Sequence, residues 1–344
     1  MCRGLVFVVA SIFVAIIGIG YTYFYSFENG DNLLSFDSER LKKDLNKNLY
    51  GQHIVSEVVL KSVSKFMTDP NPNKPLVLSF HGTTGVGKNH VAKIIARNIY
   101  EKGEQSKHFI TFISEHHFPH KSKVDIYSEK LKNWIRGNVS SFSRTMFVFD
   151  EMDKMNPRLI ETIKPFLDYT LHVDGVSYRN ASFIFLRIGE PCSNRINILY
   201  KTDQQSMISS LYICSNAGGD VINKITLDWW REGQNRENLQ MNSKGMETQI
   251  FQNIFNDESS GFWRSHLIDH HLIDHFIPFL PLEMRHVRQC VLAEMANLNM
   301  AVDCYPELAD TVARDIPYFP SKEKIYSVKG CKSVRQKLML YTDL

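Results

Sequence analysis

The stretch Gly82-Thr83-Thr84-Gly85-Val86-Gly87-Lys88-Asn89 follows the apolar run Leu76 to Phe80 and precedes a helix-patterned run from His90 to Tyr100. Glycines in the spacing Gly-x4-Gly-Lys permit a tight turn whose backbone N–H groups converge on phosphate oxygens. The following helix adds the positive end of its dipole, and Lys88 adds a full charge at the β- and γ-phosphates. The segment reads as a phosphate-binding loop between a strand and a helix. Its last position is unusual: Ser or Thr normally offers Mg²⁺ a hydroxyl there, whereas Asn89 offers only an amide carbonyl.

Downstream, Met146-Phe147-Val148-Phe149-Asp150-Glu151 is an apolar run ending in two acids. It reads as a buried parallel strand whose tip projects Asp150 toward Mg²⁺ and places Glu151 to polarise an attacking water. Either motif alone has a plainer reading, a Gly-rich turn or a strand with two solvated acids. Both in order, each at a strand end, support one another. The adjacent glutamate favours ATP over GTP hydrolysis, and the one downstream Asn-Lys pair, Asn223-Lys224, continues as Ile225-Thr226 without a guanine-reading Asp.

The bulk composition restricts the classes further. The 344 residues suffice for one large domain and a smaller one, with 43% hydrophobic content. Forty Lys+Arg against 37 Asp+Glu leave +3, too weak for a nucleic-acid footprint. Six cysteines over this length are no disulfide scaffold.

Residues 1–25 carry Arg3, an uncharged apolar run through Ile19, and small residues Gly18 and Gly20 ahead of the cluster Tyr21 to Tyr25. This is the pattern of a cleavable signal peptide or, with its length and interfacial tyrosines, a membrane anchor; either directs the chain into the secretory pathway. Helices are expected over Ser35 to Leu45, Ile54 to Met67, Val91 to Tyr100, Val124 to Ile135 and Asn156 to Leu167. Strands are expected at Leu76 to Phe80, Phe109 to Ile113 and Ser182 to Leu186, and a hairpin around Asp174-Gly175. Asn138-Val139-Ser140 and Asn180-Ala181-Ser182 are glycosylation sequons, meaningful only in a secretory compartment. His116, His117 and His120 lack a second ligand cluster, and His271 and His275, at helical spacing, lack the glutamate of a zinc protease motif.

Several segments together resemble the torsins, AAA+ ATPases of the endoplasmic reticulum lumen and nuclear envelope related to the Clp/HSP100 unfoldases. They are Gly87-Lys88-Asn89, Trp134-Ile135-Arg136-Gly137-Asn138-Val139-Ser140, Phe149-Asp150-Glu151-Met152-Asp153-Lys154-Met155, Lys164-Pro165-Phe166-Leu167-Asp168-Tyr169, Ser260-Gly261-Phe262-Trp263 and Lys329-Gly330-Cys331-Lys332. The resemblance runs from about Leu41 to Thr342. It implies an α/β fold, a P-loop AAA+ parallel sheet flanked by helices over residues 35–277, with a small helical lid domain over 278–344. It implies ATP and Mg²⁺ as ligands, with Asp150 and Asn89 toward the metal. Lys88, Glu151, Asn216 in Ser215-Asn216-Ala217-Gly218 as sensor 1, and Lys332 as sensor 2 would be the catalytic set. Asn89 then reads as a family trait, Gly51-Gln52-His53 resembles the box near the adenine, and Asn138 matches a family glycosylation site.

The same resemblance pairs Cys290 with Cys331 as a redox couple; the residues alone read as two buried small side chains. It aligns Leu272, in His271-Leu272-Ile273-Asp274, with the arginine that Clp-type relatives extend into a neighbour's site. A leucine cannot act as that finger. The resemblance therefore implies a partner that supplies an arginine: a membrane-anchored luminal activator of the lamina-associated polypeptide 1 type, within a hetero- or homo-oligomeric ring. The implied activity is chaperone-like remodelling of protein or membrane substrates.

One departure stands out. Where family members pass directly from the strand into Ser-Asn-Ala-Gly, 28 residues, Arg187 to Cys214, intervene. They read as a loop bulging from the sheet edge or as intron sequence translated by mistake, with Asn216 or Asn194 left to serve as sensor. The insertion keeps a second function class open, a nucleotide-gated binding module with little hydrolysis. A third, a secreted structural protein with a vestigial loop, sits poorly with intact Lys88, Asp150, Glu151 and Lys332.

Overall fold

Among the described residues five parallel strands form one sheet, running from edge to edge as β2 (Phe109–Ile113), β3 (Met146–Asp150), β4 (Ser182–Gly189), β1 (Leu76–Thr83) and β5 (His275–Pro278). The computed structural model describes residues 34–189, 218–256, 272–300 and 307–341. The N-terminal targeting segment, Asn194, Asn216, Ser260 to Trp263 and His271 lie outside the described residues.

Helix α1 (Ser38–Asn48) is capped by the Asp37 carboxylate, which accepts from Glu39 N–H at 2.9 Å, and buries Leu41 and Leu45, one turn apart. Helix α2 (His53–Thr68) ends before the Pro-rich turn that leads into β1 (Leu76–Thr83). Helix α3 (Lys88–Ile99) follows the glycine loop. Next come β2 (Phe109–Ile113), the short α4 (Ser114–His117), α5 (Val124–Ser141) and β3 (Met146–Asp150). Helix α6 (Pro157–Ile163) starts with proline at its first position and Asn156 as cap, then β4 (Ser182–Gly189) enters the sheet centre. After it come α7 (Gly219–Arg231), α8 (Met246–Asn256) and β5 (His275–Pro278).

The C-terminal part is helical: α9 (Met284–Asn297), α10 (Leu308–Arg314), a small hairpin of β6 (Tyr318–Phe319) and β7 (Tyr326–Ser327), and α11 (Val334–Leu338).

Period-two alternation divides the core into two layers. Leu78, Phe80, Val148, Ile184 and Leu186 face α1, α2, α3 and the C-terminal helices. Val77, Phe147, Phe149, Phe183 and Phe185 face α5, α6, α7 and α8. The C-terminal helices share the first layer through Val287, Val291, Val312 and Leu338. They thus bear directly on the P-loop side of the sheet.

Most elements run longer than their apolar pattern suggests, because hydrogen bonding continues through polar residues. Helix α5 reaches Ser141, six residues past Ile135. The Asn156 to Leu167 helix is shorter and ends in a tight turn at Lys164–Phe166, where Pro165 lacks a donor. Strand β4 continues through Arg187, Ile188 and Gly189, opposite His81, Gly82 and Thr83 of β1. The first residues of the segment read as an insertion are therefore paired backbone of the central sheet. His275 opens a strand, so the helical spacing to His271 does not apply.

Candidate functional site

Strand β1 ends at Thr83, and its carbonyls turn inward. Lys88, only 7% exposed, folds back and donates to Gly82 O and Thr83 O, each at 2.7 Å. Burial brings its ammonium down to about 7, opposed by the charges of Asp150 and Asp153 and aided by Lys332. Gly87 caps α3 in the left-handed region, which directs the first-turn N–H groups into the loop. The Thr83 hydroxyl is buried and has no hydrogen-bond partner among the described residues.

Asp150, at the tip of β3, accepts from the Asn89 amide at 2.8 Å through Oδ2 and from Glu151 N–H at 2.9 Å through Oδ1. Asn89 thus spends its NH₂ on the carboxylate, and its carbonyl oxygen remains the acceptor it can turn to a cation. Glu151 itself sits at φ 58°, an uncommon left-handed conformation for a non-glycine residue.

The loop, Asp150, Glu151 and Lys332 line a single cleft of about 760 Å³ between the sheet and the C-terminal helices. Asn48, Leu49 and Tyr50 form its wall before α2, and Leu282, Cys290, Ala293 and Glu294 the wall on the α9 side. The C-terminal helical region is tied to the loop: Cys331 N–H donates to Gly85 O at 3.0 Å. A Cβ on Gly85 would collide with Lys329 O, and one on Gly330 with Gly85 O. Cys290 of α9 and Cys331 are joined by a disulfide, Cα–Cα 6.2 Å, at the cleft wall.

Gly51-Gln52-His53 lies one step behind the cleft. The buried Gln52 amide donates to Val86 O at 3.1 Å and Leu280 O at 2.8 Å, while its carbonyl accepts from Leu280 N–H at 2.9 Å. It therefore joins the phosphate loop to the segment entering the lid. His53 turns away to Leu239 O, 2.7 Å.

Arg236, buried between α7 and α8, donates to Gly51 O at 2.8 Å and to Glu283 at 3.4 Å. Glu283 N–H donates to His286 Nδ1 at 3.2 Å, so that ring must be unprotonated there. Burial, then the charges of Arg236 and Arg285, push His286 down to about 3. No motif announces Arg236, whose partners Gly51 and Glu283 are distant in sequence, whereas His286 completes a capping box with Glu283 three residues before it.

Leu272 is core, 1% exposed, with its carbonyl accepting from Lys74 at 3.1 Å. Asn138, late in α5, donates to Trp134 O at 2.8 Å and is half-buried. Among the described residues no His, Cys, Asp and Glu cluster is suited to a metal ion, and no helix is long and apolar enough to cross a membrane. A Cβ placed on Gly218, where the described chain resumes, would stand 3.5 Å from His81 Nδ1, so both flanks of 190–217 border the end of β1.

Comparison with known proteins agrees with this architecture. The sequence model described as Torsin matches residues 22–149, and that described as Torsin-1A, C-terminal domain, matches residues 282–341. Among solved structures, a closed-state reconstruction of Hsp104 with ATPγS and FITC casein is similar at TM-score 0.58 and 13% identity, covering 88% of this chain. The S. cerevisiae Hsp104–ADP complex gives 0.57, 13% and 88%. The chain spans 46% of the length of each of those chains, a likeness of fold. With both family models matching at the two ends of one AAA+ fold, the chain belongs to the torsin family of AAA+ proteins.

Proposed function

We propose that the chain is a Mg²⁺-dependent ATPase of the endoplasmic reticulum lumen and nuclear envelope that remodels protein or membrane substrates and hydrolyses ATP only when a partner supplies an arginine. The observation that carries this reading is the convergence of Lys88, Asp150, Glu151 and Lys332 on one cleft while Leu272, the residue aligned with an arginine finger, is sealed in the core. The donor set suits the ligands. Lys88 rests on neutral carbonyls that phosphate oxygens outcompete, Asn89 keeps its carbonyl oxygen for a cation, and each Asp150 oxygen, accepting one hydrogen bond, keeps a second lone pair for it. Magnesium bound there would neutralise charge on the β- and γ-phosphates.

In this mechanism Lys88 and the loop N–H groups hold the phosphates, and Lys332 approaches them from the lid. Glu151 orients a water and takes its proton as the oxygen attacks the γ-phosphorus and the bond to ADP breaks. Turnover measured with and without the luminal domain of a lamina-associated polypeptide 1 type partner tests the reading. A partner-dependent increase of at least about a thousandfold is expected, and Glu151→Gln traps the ATP-bound complex. Robust turnover by the chain alone would sink the partner requirement.

A second reading is favoured by the end of β4, whose backbone continues through Arg187, Ile188 and Gly189 beside the loop where the family resemblance expects Ser-Asn-Ala-Gly. It is a nucleotide-gated binding module; ATP binding with the partner present and no turnover would support it.

A further inference from the structure

Strands β2 and β3 are neighbours, with Ile113 paired to Asp150. Just beyond that pair each strand releases a carboxylate, Glu115 from α4 and Glu151 from the turn after β3. Between them lies one ammonium. Lys154 Nζ is 3.1 Å from Glu115 Oε2 and 3.5 Å from Glu151 Oε2.

The backbone makes this arrangement. Glu151 takes its left-handed conformation, Lys154 N–H donates to Glu151 O at 2.9 Å, and the resulting turn folds Lys154 back over the glutamate. Met152 and Met155 fix the turn, being 0% and 3% exposed. A non-glycine residue held at positive φ by packed neighbours is a local strain of the kind found at working sites.

Direction is what gives the pair its consequence. In the order β2-β3-β4-β1, the phosphate loop lies on one side of β3 and β2 on the other. Asp150 is engaged toward the loop, by Asn89, whereas Glu151 is engaged toward β2, by Lys154. The two adjacent acids are thus drawn to opposite sides.

We propose that Lys154 is a positioning residue for hydrolysis: anchored by Glu115, it holds the Glu151 carboxylate toward the β2 side of the cleft until the assembled site draws it to the phosphates. This rests on the ATPase reading above. Glu115 competes with Glu151 for the same ammonium, so the strength of the hold depends on both acids. Removing Lys154 frees Glu151; removing Glu115 leaves the ammonium to Glu151 alone and tightens the hold.

The test is ATP turnover by the full chain, with and without the luminal partner domain, for wild type, K154Q, K154R, E115Q and K154Q/E115Q, with thermal melts to confirm folding. Solvent-accessible pairs of this kind correspond to effects of about two- to fivefold. K154Q should raise kcat by that factor with KM unchanged, K154R should restore the wild-type rate, E115Q should lower it, and the double variant should behave as K154Q. A wild type that turns over with K154Q unchanged or slower overturns the positioning role and leaves the ATPase reading standing. Absent turnover in every variant that still binds ATP overturns the ATPase reading, and this inference with it.

Discussion

Gly85 of the phosphate loop and Gly330 of the C-terminal loop meet backbone to backbone, leaving no room for a side chain on either. Their contact, closed by Cys331 N–H on Gly85 O, makes lid position and loop shape a single variable. Gly330 also sits at φ 51°.

Gly330→Ala adds left-handed strain and a clash, together about 1–3 kcal/mol. The cheapest relief is to move the lid off the loop. ATP affinity should fall about tenfold or more for that energy, read with a fluorescent nucleotide. An unchanged Kd would show that the contact does not couple lid to loop.

Lys88 predicts a pH-dependent affinity. In the free chain its ammonium titrates at about 7, below the usual lysine value because of burial. Phosphate charge favours the protonated form and raises it, so binding above pH 7 takes up a proton. Affinity should weaken between pH 7 and 9, by up to about tenfold per unit. Calorimetry in buffers of different ionisation enthalpy measures the uptake. The sign for folding is the opposite of a salt-bridged lysine: the unfolded chain binds more protons between 7 and 10.5, so stability of the free chain rises with pH across that window.

His286 predicts acid sensitivity. Its folded value, about 3, lies below the ordinary 6.5, so between these the unfolded chain binds more protons and stability falls as pH drops. At pH 5 the cost is about 2 kcal/mol relative to pH 7.5. His286→Gln, whose amide oxygen can accept the Glu283 N–H, should flatten the acid limb of a melting-temperature profile. An equal slope in both proteins would remove His286 as its source.

The Cys290–Cys331 bridge closes a separation of 41 residues. Chain-entropy arguments assign a loop of that length about 4 kcal/mol. Reduction should therefore lower the melting temperature and loosen the α9–α11 wall, weakening nucleotide binding. Cys290→Ser should match the reduced protein and be insensitive to reductant.

The local pattern made much legible. Gly82 to Asn89 and Met146 to Glu151 carry their reading in a few contiguous residues, because a strand tip and a glycine turn are set by nearest neighbours. Asp150 and Lys88 were legible for that reason. Lys332 was legible only through resemblance, since nothing local ties Lys329-Gly330-Cys331-Lys332 to a loop some 245 residues earlier.

Tertiary structure alone decided the rest. It determined that Gln52 clasps Leu280, that Arg236 spans Gly51 and Glu283, and that Lys154 lies between Glu115 and Glu151. It also extended β4 through Gly189. Each of these depends on which strands become neighbours, and parallel order is set by burial of both sheet faces across the whole chain rather than by any local run. Sequence determined that the chain would set a glycine loop at one strand tip and two acids at another; the order β2-β3-β4-β1-β5 decided which way each acid faces.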